Sequence, residues 1–138
     1  PEQSFTFEYG KITNKGLSWR ESNQKAAELI GSHFRQSEIW ILFSGGTDSE
    51  VCIRSFIDAG LDFKIGTLRF ENNLNSHELE YAEFFASKIQ KKIHYFDLDI
   101  ISFWNSDLMY KYVDPIQCVS PNLAYHLWLA DQIPGVPI

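Results

Sequence analysis

Basic residues are scarce in this chain. Twelve Lys and Arg stand against 18 Asp and Glu, for a formal net charge of −6 and a pI near 5.1. General nucleic-acid binding relies on a basic face that releases counterions, and this balance argues against it. Cysteine is scarcer still. Cys52 and Cys118 lie far apart in no metal-ligand spacing, so neither a disulfide framework nor a structural zinc site is expected, and a reducing, cytoplasmic setting is the default expectation. No apolar run approaches the roughly 20 residues of a membrane span, and no leader precedes the first segment that looks folded. The one methionine is Met109 and the chain opens on Pro1, which raises the expectation of a piece of a larger protein.

What is present suits a globular domain. Of the 138 residues 44% are hydrophobic and 15% aromatic, enough for a real core. SFTFEY (4–9) alternates as a strand does, and Ser18-Trp19-Arg20-Glu21 fits a capping box opening a helix to about residue 34, with Ala26, Ile30 and Phe34 on one face. IWILF (39–43) is continuously apolar, as a parallel strand buried on both faces should be. A helix is expected over 49–60, with Cys52, Phe56 and Ala59 on one stripe and Gly60 at its stop, then a strand over 62–70. A second helix follows over 76–92, with Leu79, Ala82, Phe85, Ala86 and Ile89 on one face, and a third strand over 93–100. Residues 102–115 read as a less regular helix, 120–133 as a helix begun by Ser120-Pro121, and VPI as the start of a fourth strand. Strand and helix alternate, so the expected fold is a three-layer α/β sandwich. Its parallel, twisted sheet should have order 3-2-1-4, with helices on both faces. Residues 1–36 form a short N-terminal β+α appendage, and 37–138 the main domain.

FSGGTDS (43–49) lies where the first strand of that sheet ends, which is where open parallel sheets bind ligands. Glycines let a ligand approach the backbone, and the loop feeds a helix N-terminus whose free N–H groups favour an anion. Ser44, Thr47 and Ser49 add hydroxyls. The loop suits phosphate. It is neither GxxxxGK[ST], nor GxGxxG, nor GxSxG. Asp48 is awkward beside phosphate unless a divalent cation lies between, and Mg²⁺ takes one or two carboxylates plus phosphate oxygens. Two roles stay open for Asp48: contact to Mg²⁺, or capping the helix.

Ser44-Gly45-Gly46-Thr47-Asp48-Ser49 resembles the SGGxDS signature of the PP-loop, or N-type, ATP pyrophosphatases, the adenine nucleotide alpha hydrolase-like superfamily of HUP/Rossmann-like fold. The likeness covers roughly residues 38–100 by order of elements. It implies ATP cleaved to AMP and pyrophosphate, with an acceptor attacking the α phosphorus, and Mg²⁺ as cofactor. Ser44 to Ser49 would hold the pyrophosphate. By position in the family, Thr67, Leu68, Arg69 and Phe70 would lie at the adenine, the Leu68 backbone reading its edge, with Leu42 and Phe43 beneath the nucleotide. FKIGTLRFENNLNSHELEYAEFFA is similar in texture to asparagine synthetases, which implies amide formation. No glutamine-hydrolysing segment with a leading cysteine is present, so the amine source would be external. Two other readings are a non-catalytic adenine-nucleotide module, and a phosphoadenylylsulfate reductase-like or sulfur-transfer relative. The latter would need a working thiol. Cys118 precedes a helix that could stabilise a thiolate, but a half-buried cysteine near a turn is the expectation; Cys52 should be core.

Around these residues, Arg69 could neutralise phosphate or pair with Glu71 or Glu80. Asp97 and Asp99 are expected at a solvated strand end, His126 in packing, and His77 and His94 at the surface. Phe103, Trp104, Tyr110, Tyr112 and Trp128 should mostly be core or interface. No lysine sits in the loop and no Lys/Arg cluster follows the third strand, whereas the family usually takes further basic residues from beyond the fourth strand. Self-association or a missing C-terminal region is therefore expected, and an acceptor site built mostly from later segments.

Overall fold

The computed structural model describes residues 16–116 and 120–138. The strand expected at 4–9, and Cys118, lie outside the described residues. Helix α1 (Trp19–His33) begins on the expected capping box: the Glu21 amide donates to Ser18 Oγ at 3.3 Å, and the Ser18 amide to Glu21 Oε2 at 2.7 Å. Its inward face is set by Ala27, with Ile30 and Phe34 packed beside it, and Arg20 holds both carboxylate oxygens of Asp58 at 2.6 and 2.7 Å.

Strand β1 (Ile39–Leu42) is followed by α2 (Thr47–Asp58) and β2 (Lys64–Phe70). Helix α2 starts two residues before the periodicity predicts, because Gly46 takes the extended N-cap conformation and Thr47-Asp48-Ser49 become its first turn. It stops as expected, with Gly60 at φ +66°, a conformation glycine adopts without strain. Helix α3 (Ser76–Lys88) is shorter than expected. Its last carbonyls are closed by Ile89, Gln90 and Lys91, and Gln90 turns into the left-handed region at φ +56°.

After β3 (Ile93–Leu98), the single helix expected over 102–115 is two: α4 (Ile100–Trp104) and α5 (Leu108–Val113). Asp99 caps α4, while the side chains of Asn105 and Ser106 bond the carbonyls of Ile101 and Phe103 at 2.8 and 2.9 Å, closing the helix locally. Helix α6 (Pro121–Gln132) and β4 (Val136–Pro137) complete the described chain.

All four strands are parallel, in the order β3-β2-β1-β4. The period of two along β1 divides the core. Ile39, Ile41 and Phe43 face a cluster with α1, α2 and α3 (Ala27, Ile53, Phe56, Phe85), while Trp40 faces Phe103, Val113, Leu129 and Ile133 of the α4–α6 side. Helices therefore cover both faces, and the sandwich is three-layered, as its uninterrupted apolar strands require. From β1 the chain winds outward through β2 to β3, then crosses back to place β4 on the other side of β1. That reversal puts a topological switch point at the carboxyl ends of β1 and β4. Among the described residues no helix is long and apolar enough to cross a membrane.

Candidate functional site

A cavity of about 490 Å³ opens at this switch point. Its floor is the strand ends, Leu42 and Phe43 of β1, Leu68 and Phe70 of β2, and Ile138 after β4; the glycine-rich loop forms one wall and α6 the other. The Phe43 amide donates to Gly66 O at 2.8 Å and the Leu42 amide to Ile138 O at 2.9 Å, so the three strands are locked together where the floor begins.

The loop is held by its own hydroxyls. Ser44 Oγ accepts from the Gly46 amide and stands 3.3 Å from Ser49 Oγ, which donates to Gly46 O at 3.0 Å. Gly45 has φ +84°, and a Cβ there would lie 2.5 Å from the Glu78 carbonyl oxygen; its backbone is pressed on α3. Gly46 is the N-cap and no side chain caps α2, so Asp48 does not act as a cap. Among the described residues, the first-turn amides of Thr47, Asp48 and Ser49 donate to no acceptor. A helix N-terminus left in that state concentrates positive partial charge at the cavity wall.

Ser44, Gly46, Asp48 and Ser49 line the cavity, as do Phe43, Leu68 and Phe70; Gly45 and Thr47 do not line it. Thr67 is buried in the sheet, 1% exposed, and its hydroxyl has no partner among the described residues. Arg69 does not line the cavity. Side chains alternate along β2, so Leu68 and Phe70 face the cavity while Arg69 faces the opposite layer, lying 4.8 Å from the Tyr95 ring. Its ion pair is with Asp97 of the neighbouring strand, at 2.5 and 2.9 Å, rather than with Glu71 or Glu80. That bond holds the Asp97 carboxyl below its usual range. Asp99 is spent on capping α4. His77 is exposed as expected, but His94 is half-buried edge-on against Trp40, and burial lowers its pKa. Cys52 packs against the core as expected, and burial pushes its thiol up.

Sequence reasoning missed Asn75, Glu78, Tyr125 and His126, all of which line the cavity. Tyr125 stands edge-on to Phe70 at 5.5 Å and to His126 at 4.5 Å. Desolvation raises the Tyr125 phenol and lowers the His126 imidazole, and Glu78 pulls both upward. The Tyr-His pair in the helix spanning 120–133 was visible in the sequence; which face meets the strand ends is set by the crossover from β3 and carries no local signal.

The cavity thus holds two carboxylates, Asp48 and Glu78, and no lysine or arginine lines it among the described residues. No group of three or more His, Cys, Asp or Glu gathers anywhere in that set, which excludes an all-protein metal cage there. One or two carboxylates beside free amides and hydroxyls instead match the partial ligand set of a Mg²⁺ ion completed by phosphate oxygens and water.

A family model described as queuosine biosynthesis protein QueC matches residues 38–121, from just before β1 to the start of α6. No curated protein matches the chain. The matched span contains the whole SGGTDS loop and agrees with its PP-loop resemblance; it lends no support to the finer likeness to asparagine synthetases.

Proposed function

The chain belongs to the QueC family, a branch of the PP-loop ATP pyrophosphatases, and we propose that it binds Mg²⁺-ATP in the switch-point cavity and adenylates an acceptor, releasing pyrophosphate. The acceptor suggested by the family's description is an intermediate of queuosine biosynthesis. A carboxylate on it is the chemistry we favour. One carboxylate oxygen attacks the α phosphorus, the α–β bridging bond breaks, and pyrophosphate leaves with that electron pair. Ammonia then attacks the acyl carbon and displaces AMP, leaving an amide.

One observation carries the reading: the start of α2, which no side chain caps, stands at the wall of a cavity whose only charged lining groups, among the described residues, are Asp48 and Glu78. The amides of Thr47, Asp48 and Ser49 and the hydroxyls of Ser44 and Ser49 would bind the leaving pyrophosphate, stabilising charge that grows on its oxygens. Asp48 would hold Mg²⁺, which when bound supplies the charge neutralisation that no lysine here provides. Leu68 and Phe70 would receive the adenine and Tyr125 would cover it. A sulfur-transfer reading turns on Cys118, which lies outside the described residues; Cys52, packed against the core with a thiol that burial pushes up, does not serve it.

The test is product analysis. With Mg²⁺-ATP, ammonium and carboxylate-bearing intermediates of queuosine biosynthesis, AMP and pyrophosphate should appear in equal amounts, and only with acceptor. ADP and phosphate as products would refute adenylation. Tight Mg²⁺-ATP binding without any pyrophosphate, across the acceptor set, would favour a nucleotide-binding module.

A further inference from the structure

Glu78 lines the cavity from the first turn of α3, and among the described residues its carboxylate makes neither a hydrogen bond nor an ion pair. Its place is fixed from two sides. Three residues earlier Asn75, only 6% exposed, ties the start of the helix to the end of β2: its Oδ1 accepts from the Phe70 amide at 2.9 Å and its Nδ2 donates to the Leu68 carbonyl at 3.0 Å. At Glu78 itself the backbone is pressed on the glycine-rich loop, where a Cβ on Gly45 would lie 2.5 Å from the Glu78 carbonyl oxygen.

The first turn of α3 therefore bridges the strand-end floor and the loop, over a rise of about 5 Å. The Glu78 side chain also comes within electrostatic reach of the α6 wall. After desolvation, its carboxylate is the other influence on the ionisation of Tyr125 and His126.

A nucleoside triphosphate laid along that bridge, with its base over Leu68 and Phe70 and its phosphates at the start of α2, has one component left to place. Covalent structure puts the ribose between base and α phosphate, and so beside the first turn of α3. The 2′ and 3′ hydroxyls are two neighbouring donors. A carboxylate offers two acceptor oxygens and no competing donor, and hydrogen bonds to it are stronger than those to a neutral acceptor.

We infer that Glu78 accepts hydrogen bonds from the ribose 2′ and 3′ hydroxyls and makes the site selective for ribonucleotides over deoxyribonucleotides. This rests on the nucleotide reading above. The two carboxylates of the cavity then divide between metal and sugar. Asp48 stands in the first turn of α2, among the amides that meet pyrophosphate, and Glu78 stands one helical turn from the residue bonded to the base floor.

The test is calorimetric titration of the whole chain, with Mg²⁺, against the α,β-methylene analogue of ATP and its 2′-deoxy and 3′-deoxy counterparts, for wild type, Glu78→Ala and Glu78→Gln. Wild type should bind the ribose form roughly tenfold more tightly than either deoxy form, the scale of one hydrogen bond to a charged group. Glu78→Ala should bring that ratio close to one, and comparing ratios cancels any effect of deoxygenation on sugar conformation. Equal binding of all three by wild type overturns the proposal. A carboxylate in the first turn also favours the helix dipole, and a role confined to that would weaken all three analogues together. A metal role would show as a loss seen with Mg²⁺ and absent with a chelator, again at constant ratio. Either result overturns the sugar contact. Should Glu78→Ala not melt cooperatively, Glu78→Gln keeps the shape without the charge, and an unchanged ratio there overturns the proposal too. Wild type that binds none of the three defeats the nucleotide reading itself; wild type that discriminates while both variants keep its ratio defeats Glu78 alone.

Discussion

Gly45 and Glu78 meet backbone to backbone: a Cβ on Gly45 would stand 2.5 Å from the Glu78 carbonyl oxygen, and Gly45 already has φ +84°. The phosphate-type loop after β1 is thus seated on the first turn of α3. Gly45→Ala adds a collision with backbone to a left-handed conformation that alanine resists. The expected cost is about 2 kcal/mol of folding stability, read by urea denaturation, with loss of nucleotide binding even in the fraction that folds. A stability matching wild type would mean that the loop is not docked on α3 as described.

Asp48 separates metal from phosphate. It lines the cavity within the first turn of α2 and caps nothing, so its charge is available to a cation. Asp48→Asn should weaken Mg²⁺-ATP binding on the order of tenfold while leaving metal-free ATP equal or slightly tighter, since a carboxylate that repels phosphate is gone. Paired titrations with Mg²⁺ and with a chelator read the difference. Equal losses in both would assign Asp48 a structural role.

The sheet was legible in the sequence because buried parallel strands leave continuous apolar runs, as at 39–43, and because SGGTDS punctuates the first of them. The single helix expected over 102–115 failed for a local reason: the Asn105 and Ser106 side chains bond the carbonyls of the preceding turn, and periodicity does not register that. Part of the cavity was hidden for a different reason. Asn75, Glu78, Tyr125 and His126 reach it only through packing of α3 and α6 on the strand ends, and each looks in sequence like an ordinary surface or core residue. Arg69 shows the converse. Its place beside Leu68 suggested a phosphate contact, but alternation along the strand turns it to the other face, where Asp97 waits.

That placement makes a negative prediction. Arg69→Met and Asp97→Asn should leave nucleotide affinity unchanged, since neither residue lines the cavity, and any large loss in either would bring Arg69 back into the site. The pair has a pH signature instead. Arg69 holds the Asp97 carboxyl below its usual range, so the folded state prefers the ionised form. The stability this adds is present above the unfolded carboxylate pKa, about 3.9, and is lost as pH falls through the lower folded value. Both side chains are largely exposed, so the effect is small at neutral pH. Acid-unfolding curves of wild type and Asp97→Asn should converge at the acid end.

His126 is the titratable group by which the cavity should sense pH. Desolvation lowers its pKa and Glu78 opposes the shift without cancelling it. The folded protein therefore favours neutral imidazole, and stability is highest above the unfolded value, about 6.5, declining as pH falls through the folded value. A polyphosphate in the same cavity reverses the preference, because its charge attracts imidazolium and raises the His126 pKa. By linkage, nucleotide affinity gains as pH falls toward that pKa. His126→Gln removes it. Between pH 8 and pH 6 the affinity of wild type should rise about threefold more than that of the variant, and titration of ATP's own phosphates cancels in the comparison. Parallel profiles would place His126 beyond electrostatic reach of the bound nucleotide and leave Tyr125 as the contribution of α6 to the site.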